Sequence, residues 1–200
     1  KGVTLYGSYS VGGIAAYTNG STISDCSVTD IKVYINDEKH KSYEGRIGGF
    51  IGENNTTIIE NSFVRGLDMN VTQAFATYGV GGFIGRNNSG YVYNSYAQGM
   101  LNTTAVEVGG IVGNNSGYIS RVFSAVDVYT QQDSLGGVVG YSTNDYISNT
   151  LVVGDVFSSK NNYNQGRTIG NRTAVNSNYA WSGQLLNGLI STQANGDILI

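Results

Sequence analysis

Residues 80–99 run Val80-Gly81-Gly82-Phe83-Ile84-Gly85-Arg86-Asn87-Asn88-Ser89-Gly90-Tyr91-Val92-Tyr93-Asn94-Ser95-Tyr96-Ala97-Gln98-Gly99, and the first six of them return along the chain. The phrase recurs at Val11 to Ala16, Ile47 to Gly52, Val108 to Gly113 and Leu135 to Gly140, with a degenerate copy at Thr168-Ile169-Gly170-Asn171. The first glycine of each pair falls at 12, 48, 81, 109 and 136, so the steps are 36, 33, 28 and 27 residues. A shrinking step marks a fixed unit with a connection of variable length.

Each copy is followed by a second phrase of the form aliphatic, any, polar, small, bulky. It begins at Ile23, Ile59, Val92, Ile119 and Ile147. Asp25, Asn61, Asn94, Arg121 and Asn149 hold the polar slot, and Cys26, Ser62, Ser95, Val122 and Thr150 the small one. Phe63, Tyr96, Phe123 and Leu151 hold the bulky slot, with Val28 in the first copy. A third short run closes the unit, as in Ile31-Lys32-Val33, Leu67-Asp68-Met69, Val126-Asp127-Val128 and Gly154-Asp155-Val156; Val3-Thr4-Leu5-Tyr6 looks like the same run of a preceding unit.

These are short β-runs split by Asn, Ser and Gly, with no helical periodicity. A unit of about 27 residues cannot bury an apolar face alone, so neighbours must stack. The expected fold is all-β: a parallel β-helix or similar β-solenoid, right-handed by the handedness of parallel crossovers, with five to six coils. Ile59, Val92, Ile119 and Ile147 should then lie in single file, with the aliphatic and aromatic slots both forming interior columns. The paired glycines fit a corner where one backbone nears the next. The absence of proline agrees, because inner strands must both donate and accept. A β-propeller blade wants about 40 residues, and a β-sandwich does not call for a repeated sequence. The expected organisation is residues 1–10 as the end of a preceding coil, 11–181 as the repeats, and 182–200 as a cap or the start of a further domain.

Composition narrows the function. Charged residues make up 12% of the chain, against about 25% in ordinary globular domains. Eleven Lys and Arg against fourteen Asp and Glu give a net charge of −3, which supplies no basic face for nucleic acid. No run of 18 apolar residues exists, so no membrane insertion is expected.

The phrases Gly81 to Gly99 and Gly109 to Val128 resemble GLUG repeats, glycine-rich units of bacterial surface and secreted proteins. They occur in adhesins and in the immunoglobulin A1 proteases and related zinc metalloproteases of Gram-positive bacteria. The resemblance extends over roughly residues 11 to 181, including Asn178-Tyr179-Ala180-Trp181. It implies an extracellular or cell-surface bacterial protein. This segment would be a non-catalytic scaffold and recognition region, with immunoglobulin A1 or another host glycoprotein as partner. The alternative is a stalk or binding element of an adhesin. A protease parent would carry zinc in a separate domain, because an HExxH motif is absent here and the one histidine, His40, cannot form a zinc protease site. No catalytic residue, metal ligand or cofactor is expected in this segment. A polysaccharide-active enzyme would need a repeated acid/base cluster, and none recurs.

The candidates for partner contact are Tyr34, His40 and Tyr43, in or beside the longest and most charged connection, Tyr91 and Tyr118, near one corner with Tyr93, Tyr141 and Tyr146, and Tyr163 in the connection from Phe157 to Arg167. Cys26 is expected to be buried and inert. Asp127 and Asp155, equivalent on adjacent coils, read as outward carboxylates. The pairs Asn54-Asn55, Asn87-Asn88 and Asn114-Asn115 recur at one corner, where asparagine tolerates left-handed backbone and can cap the turn with its side chain.

Overall fold

The computed structural model of the 200-residue chain describes residues 3–7, 9–37, 45–73, 78–160, 164–171, 177–189 and 198–200. Among these residues the strands form three sheets, of twelve, six and five strands. Within each sheet, strands one repeat apart are neighbours and run parallel. The fold is a parallel β-solenoid. Val92 pairs with Ile59 below and Ile119 above, Ile119 with Ile147, and Ile23 with Ile59, so the predicted single file is present.

The glycine phrase packs the two smaller sheets together. Ile47, Val80, Val108 and Leu135 stack on one side of the corner, and Ile51, Ile84, Val112 and Val139 on the other. Both files are buried. Between them Phe50, Phe83, Ile111 and Val138 form a third file at the turn, each amide donating to a carbonyl one coil on. A Cβ on Gly49, Gly82, Gly110 or Gly137 would collide with a backbone carbonyl of the next coil, which is why the second glycine of the pair persists. Burying each aliphatic side chain of these files contributes about 1.5–3 kcal/mol.

Four expectations need correction. The second and third runs do not stay separate on every coil: they fuse into the strands Phe63–Gln73, Tyr91–Thr103 and Tyr118–Thr130. Gly66 and Gly99 absorb the irregularity with positive φ, where the register between the first two shifts. The aromatic slots are not all interior. Phe50 and Phe83 are buried, whereas Phe63, Tyr96, Phe123 and Leu151 are only half-buried on the outer surface. The polar slot explains the reversal. Asp25, Asn61, Asn94, Arg121 and Asn149 all take φ near +50°, as does Ser177. One left-handed residue breaks the in-out alternation, so the small slot that follows points inward and the bulky slot outward. Asn and Asp adopt that conformation at least cost.

The asparagine corner has the expected side-chain caps, but its left-handed residue lies elsewhere. The left-handed residue is the one that follows the pair, Thr56 or Ser89. The buried asparagine stands two residues after the last glycine of the phrase, at Asn54, Asn87 and Asn115. Asn54 Nδ2 donates to Asn87 Oδ1 at 2.9 Å and Asn87 Nδ2 to Asn115 Oδ1 at 2.8 Å. Asn115 Nδ2 continues the ladder to Ser142 Oγ at 3.3 Å. Each asparagine also bonds the backbone of its own corner, as Asn87 does to the Gly90 carbonyl. The ladder thus satisfies corner groups that burial would otherwise leave unpaired.

The two ends of the described stack differ. Val3–Leu5 pairs with the Ile31–Asp37 strand, but Ile14, Ile23 and Val28, which head interior files, are exposed or half-buried. Cys26 shares that environment. It is half-buried rather than buried because no described coil lies beneath it, and its Sγ donates to the Ser24 carbonyl at 3.1 Å. At the other end Arg167 is fully buried and donates to the carbonyls of Gln184 and Leu189. Leu186 packs on the core, and Ile198–Leu199 pairs with Asn178–Ala180.

Candidate functional site

The outer surface over residues 58–63, 91–96, 118–123 and 146–151 is the aromatic face of the rod. Strict register places Ile58, Tyr91 and Tyr118 in one outward column, which Tyr146 extends. The rings stack: Tyr91 and Tyr118 lie 4.6 Å apart at 5°, and Tyr118 and Tyr146 lie 4.4 Å apart at 15°. The spacing is close to that of neighbouring strands, about 4.8 Å. The three rings are 43%, 40% and 56% exposed.

Beside this column runs a second, Glu60, Tyr93, Ser120 and Ser148. Ser148 Oγ donates to Ser120 Oγ at 3.3 Å. A groove of about 240 Å³ opens between the columns where the serines leave room, lined by Tyr118, Ser120, Asp145, Tyr146 and Ser148 together with Ile119 and Ile147. Next comes the left-handed column. Asn94 Nδ2 donates to Asn61 Oδ1 at 3.2 Å, and Arg121 Nε donates to Asn94 Oδ1 at 2.7 Å while its guanidinium sits 5.6 Å from the Tyr93 ring centre. Beyond it stands the bulky ridge, where Phe63 and Tyr96 stack at 4.8 Å and 4°. The face therefore alternates aromatic columns with columns of hydrogen-bonding groups.

Its electrostatics are mild. The Glu60 carboxylate accepts from the Tyr93 hydroxyl and raises that phenol's pKa, with desolvation adding to the effect and the Arg121 charge opposing it. Desolvation within the stack raises the Tyr118 phenol, reinforced by the neighbouring hydroxyls of Tyr146 and Tyr91. The raised Tyr118 phenol therefore stays neutral near neutral pH.

Of the residues singled out in the sequence, Tyr91 and Tyr118 meet in this face. Tyr34 does not join them. It lies on the Ile31–Asp37 strand, donates to Asp68 Oδ2 at 3.2 Å, and shares a column with Asn70, Asn102, Tyr129 and Phe157, at the far end of the long strands. Tyr141 pairs with Asn114 in the five-stranded sheet, away from the Tyr118 file. His40, Tyr43 and Tyr163 lie outside the described residues. Asp127 and Asp155 do stack, but each is half-buried and serves the fold. Asp127 Oδ1 accepts from the Asp155 amide at 2.9 Å, and Asp155 Oδ1 from the Leu185 amide at 2.8 Å. They bridge the rung where the strands Ile147–Val152 and Val156–Ser158 leave a gap. Desolvation raises the Tyr129 phenol beside them, and both carboxylates add to the shift. Among the described residues no three His, Cys, Asp or Glu side chains gather closely enough to hold a metal ion.

The outward bulky ridge of Phe63, Tyr96 and Phe123 escaped the sequence reading. The polar slot was the available signal, since Asn or Asp at one fixed place in repeat after repeat is the mark of a left-handed residue.

The GLUG motif matches residues 7–34. The match covers the first glycine phrase, the second phrase and the Ile31-Lys32-Val33 run. Each later unit repeats those elements in register, so the match supports a GLUG-repeat region, built as a β-solenoid. No curated protein and no solved structure matches the chain.

Proposed function

We propose that this solenoid is a non-catalytic scaffold and recognition segment of a secreted or cell-surface bacterial zinc metalloprotease of the immunoglobulin A1 protease type. In this reading it holds a large host glycoprotein against its aromatic face while a separate zinc-bearing domain cuts. No residue of this chain is assigned to that chemistry.

The observation that carries the recognition role is the in-register face of Tyr91, Tyr118 and Tyr146 beside a column of serines, exposed on a backbone that every coil braces. Tyrosine offers broad amphipathic contact at low entropic cost. A rigid rod presents such contacts over an extended surface, which suits a macromolecule better than a small ligand. The protease parent draws on the resemblance to GLUG units, which that class shares with adhesins; the motif itself matches residues 7–34. An adhesin stalk would use the same face.

Binding to immobilised immunoglobulin A1 tests the reading. The 200-residue chain should bind at micromolar concentration and slow cleavage of that substrate by an immunoglobulin A1 protease supplied in trans, and Tyr118→Ala should weaken binding at least tenfold. Binding without any effect on cleavage favours the adhesin. No binding at high micromolar concentration removes the recognition role.

A further inference from the structure

We propose that Tyr118 is the site of an oxidative cross-link, joined ring to ring with Tyr91 or Tyr146 when the rod meets a one-electron oxidant such as a peroxidase supplied with hydrogen peroxide. Coupling of two phenols needs three conditions: access for the oxidant, rings held within reach of each other, and like orientation of the hydroxyls. The stack meets all three. Its rings are 40% to 56% exposed. Their centres are 4.6 Å and 4.4 Å apart, with planes within 15° of parallel. The three side chains rise from in-register positions on neighbouring coils and their rings are near-parallel, so the phenols point the same way. The carbons flanking each hydroxyl therefore overlie those of the next ring.

The step balances as follows. Each ring loses one electron to the oxidant and its phenolic proton to water, giving two phenoxyl radicals. A carbon–carbon bond forms between their ortho positions. The hydrogen on each coupled carbon then moves to that ring's oxygen, restoring two phenols. Two hydrogens are lost overall, and one hydrogen peroxide accepts them to become two waters.

The geometry is selective within the aromatic face. Phe63 against Tyr96 and Phe157 against Tyr129 cannot couple this way, since phenylalanine yields no phenoxyl radical. Tyr93 faces the Arg121 guanidinium. Because both ring contacts share Tyr118, every link within the stack passes through that ring. A bond from Tyr118 to Tyr91 or to Tyr146 closes a loop of 27 or 28 residues and clips adjacent coils together. A surface rod exposed to host peroxides would be hardened by the reagent sent against it.

The test treats the intact chain with peroxidase and peroxide at low protein concentration, then maps dityrosine by fluorescence and by mass spectrometry of the digested monomer. The expected result is a monomer two hydrogens lighter, with the link at Tyr118 to Tyr91 or Tyr146 and a raised unfolding midpoint. Tyr118→Phe, which keeps the ring stack, should lose at least nine-tenths of this intramolecular product. Denaturant should abolish the selectivity. Coupling spread evenly over Tyr93, Tyr96 and Tyr129, or an undiminished yield in Tyr118→Phe, would overturn the proposal. So would a product formed only between chains.

Discussion

Two aromatic stacks in this molecule share one geometry and differ in almost everything else. Phe50 and Phe83 lie 4.6 Å apart at 12°, and Tyr91 and Tyr118 lie 4.6 Å apart at 5°. The phenylalanines are fully buried at the glycine corner, whereas the tyrosines stand about two-fifths exposed on the outer face. The common spacing comes from the coil repeat, since any like residues in register must meet at the strand separation. Stacking is therefore a consequence of the architecture and says nothing by itself about role. Burial separates the roles: the inner stack stores folding energy, and the outer one is displayed.

The sharpest way to break that contrast is to truncate one member of each stack. Phe83→Ala opens a cavity that the flanking glycines and packed sheets cannot close, so the loss should be about 3–5 kcal/mol, read from denaturant unfolding. Asn87→Ala comes next. It removes the acceptor of Asn54 and the donor to Asn115 in a buried ladder, although Asn54 Nδ2 and Asn115 Oδ1 each keep one backbone bond. The expected cost is about 2–3 kcal/mol by the same measurement. Tyr118→Ala deletes two ring contacts but little burial, and should cost roughly 0.5–1 kcal/mol. A loss at Tyr118 equal to that at Phe83 would erase the distinction between the two stacks.

The architecture was legible in the sequence because its signal is repeated. Glycine pairs at 12, 48, 81, 109 and 136 fix the unit, and a unit too small to fold alone has to stack. The aliphatic file from Ile23 to Ile147 follows directly. What remained hidden depended on single backbone conformations. Asn61 and Asn94 read as turn residues, and nothing in their identity alone shows that they reverse the alternation within a strand and send Phe63 and Tyr96 outward. The pair Asn114-Asn115 looks equivalent to Asn87-Asn88, yet the register sets Asn87 opposite Asn115. Only the distance from the preceding glycine, two residues in each case, identifies the buried member. Tyr91 and Tyr118 were within reach of the sequence because they flank the file without an intervening left-handed residue.

The smallest effect sharpens the comparison through pH. The Tyr118 phenol is raised above its ordinary value of 10.0 by desolvation in the stack and by its neighbours' hydroxyls. A raised folded-state pKa contributes stability that is fully present below pH 10 and is lost as pH climbs through the folded value. Unfolding midpoints followed upward from pH 9 should therefore fall, and Tyr118→Phe should soften that fall. The buried phenylalanine stack has no titrating group and gives no such dependence, so Phe83→Leu should leave the slope unchanged.

Stacking in parallel register can be read in solution by nuclear magnetic resonance. Cross-strand contacts between amide and α protons should link Tyr91–Thr103 to Tyr118–Thr130 in one parallel register, with Val92 beside Ile119 and Leu101 beside Val128. An antiparallel set of contacts, or Val92 and Ile119 without any, would contradict the solenoid and with it the outward aromatic face.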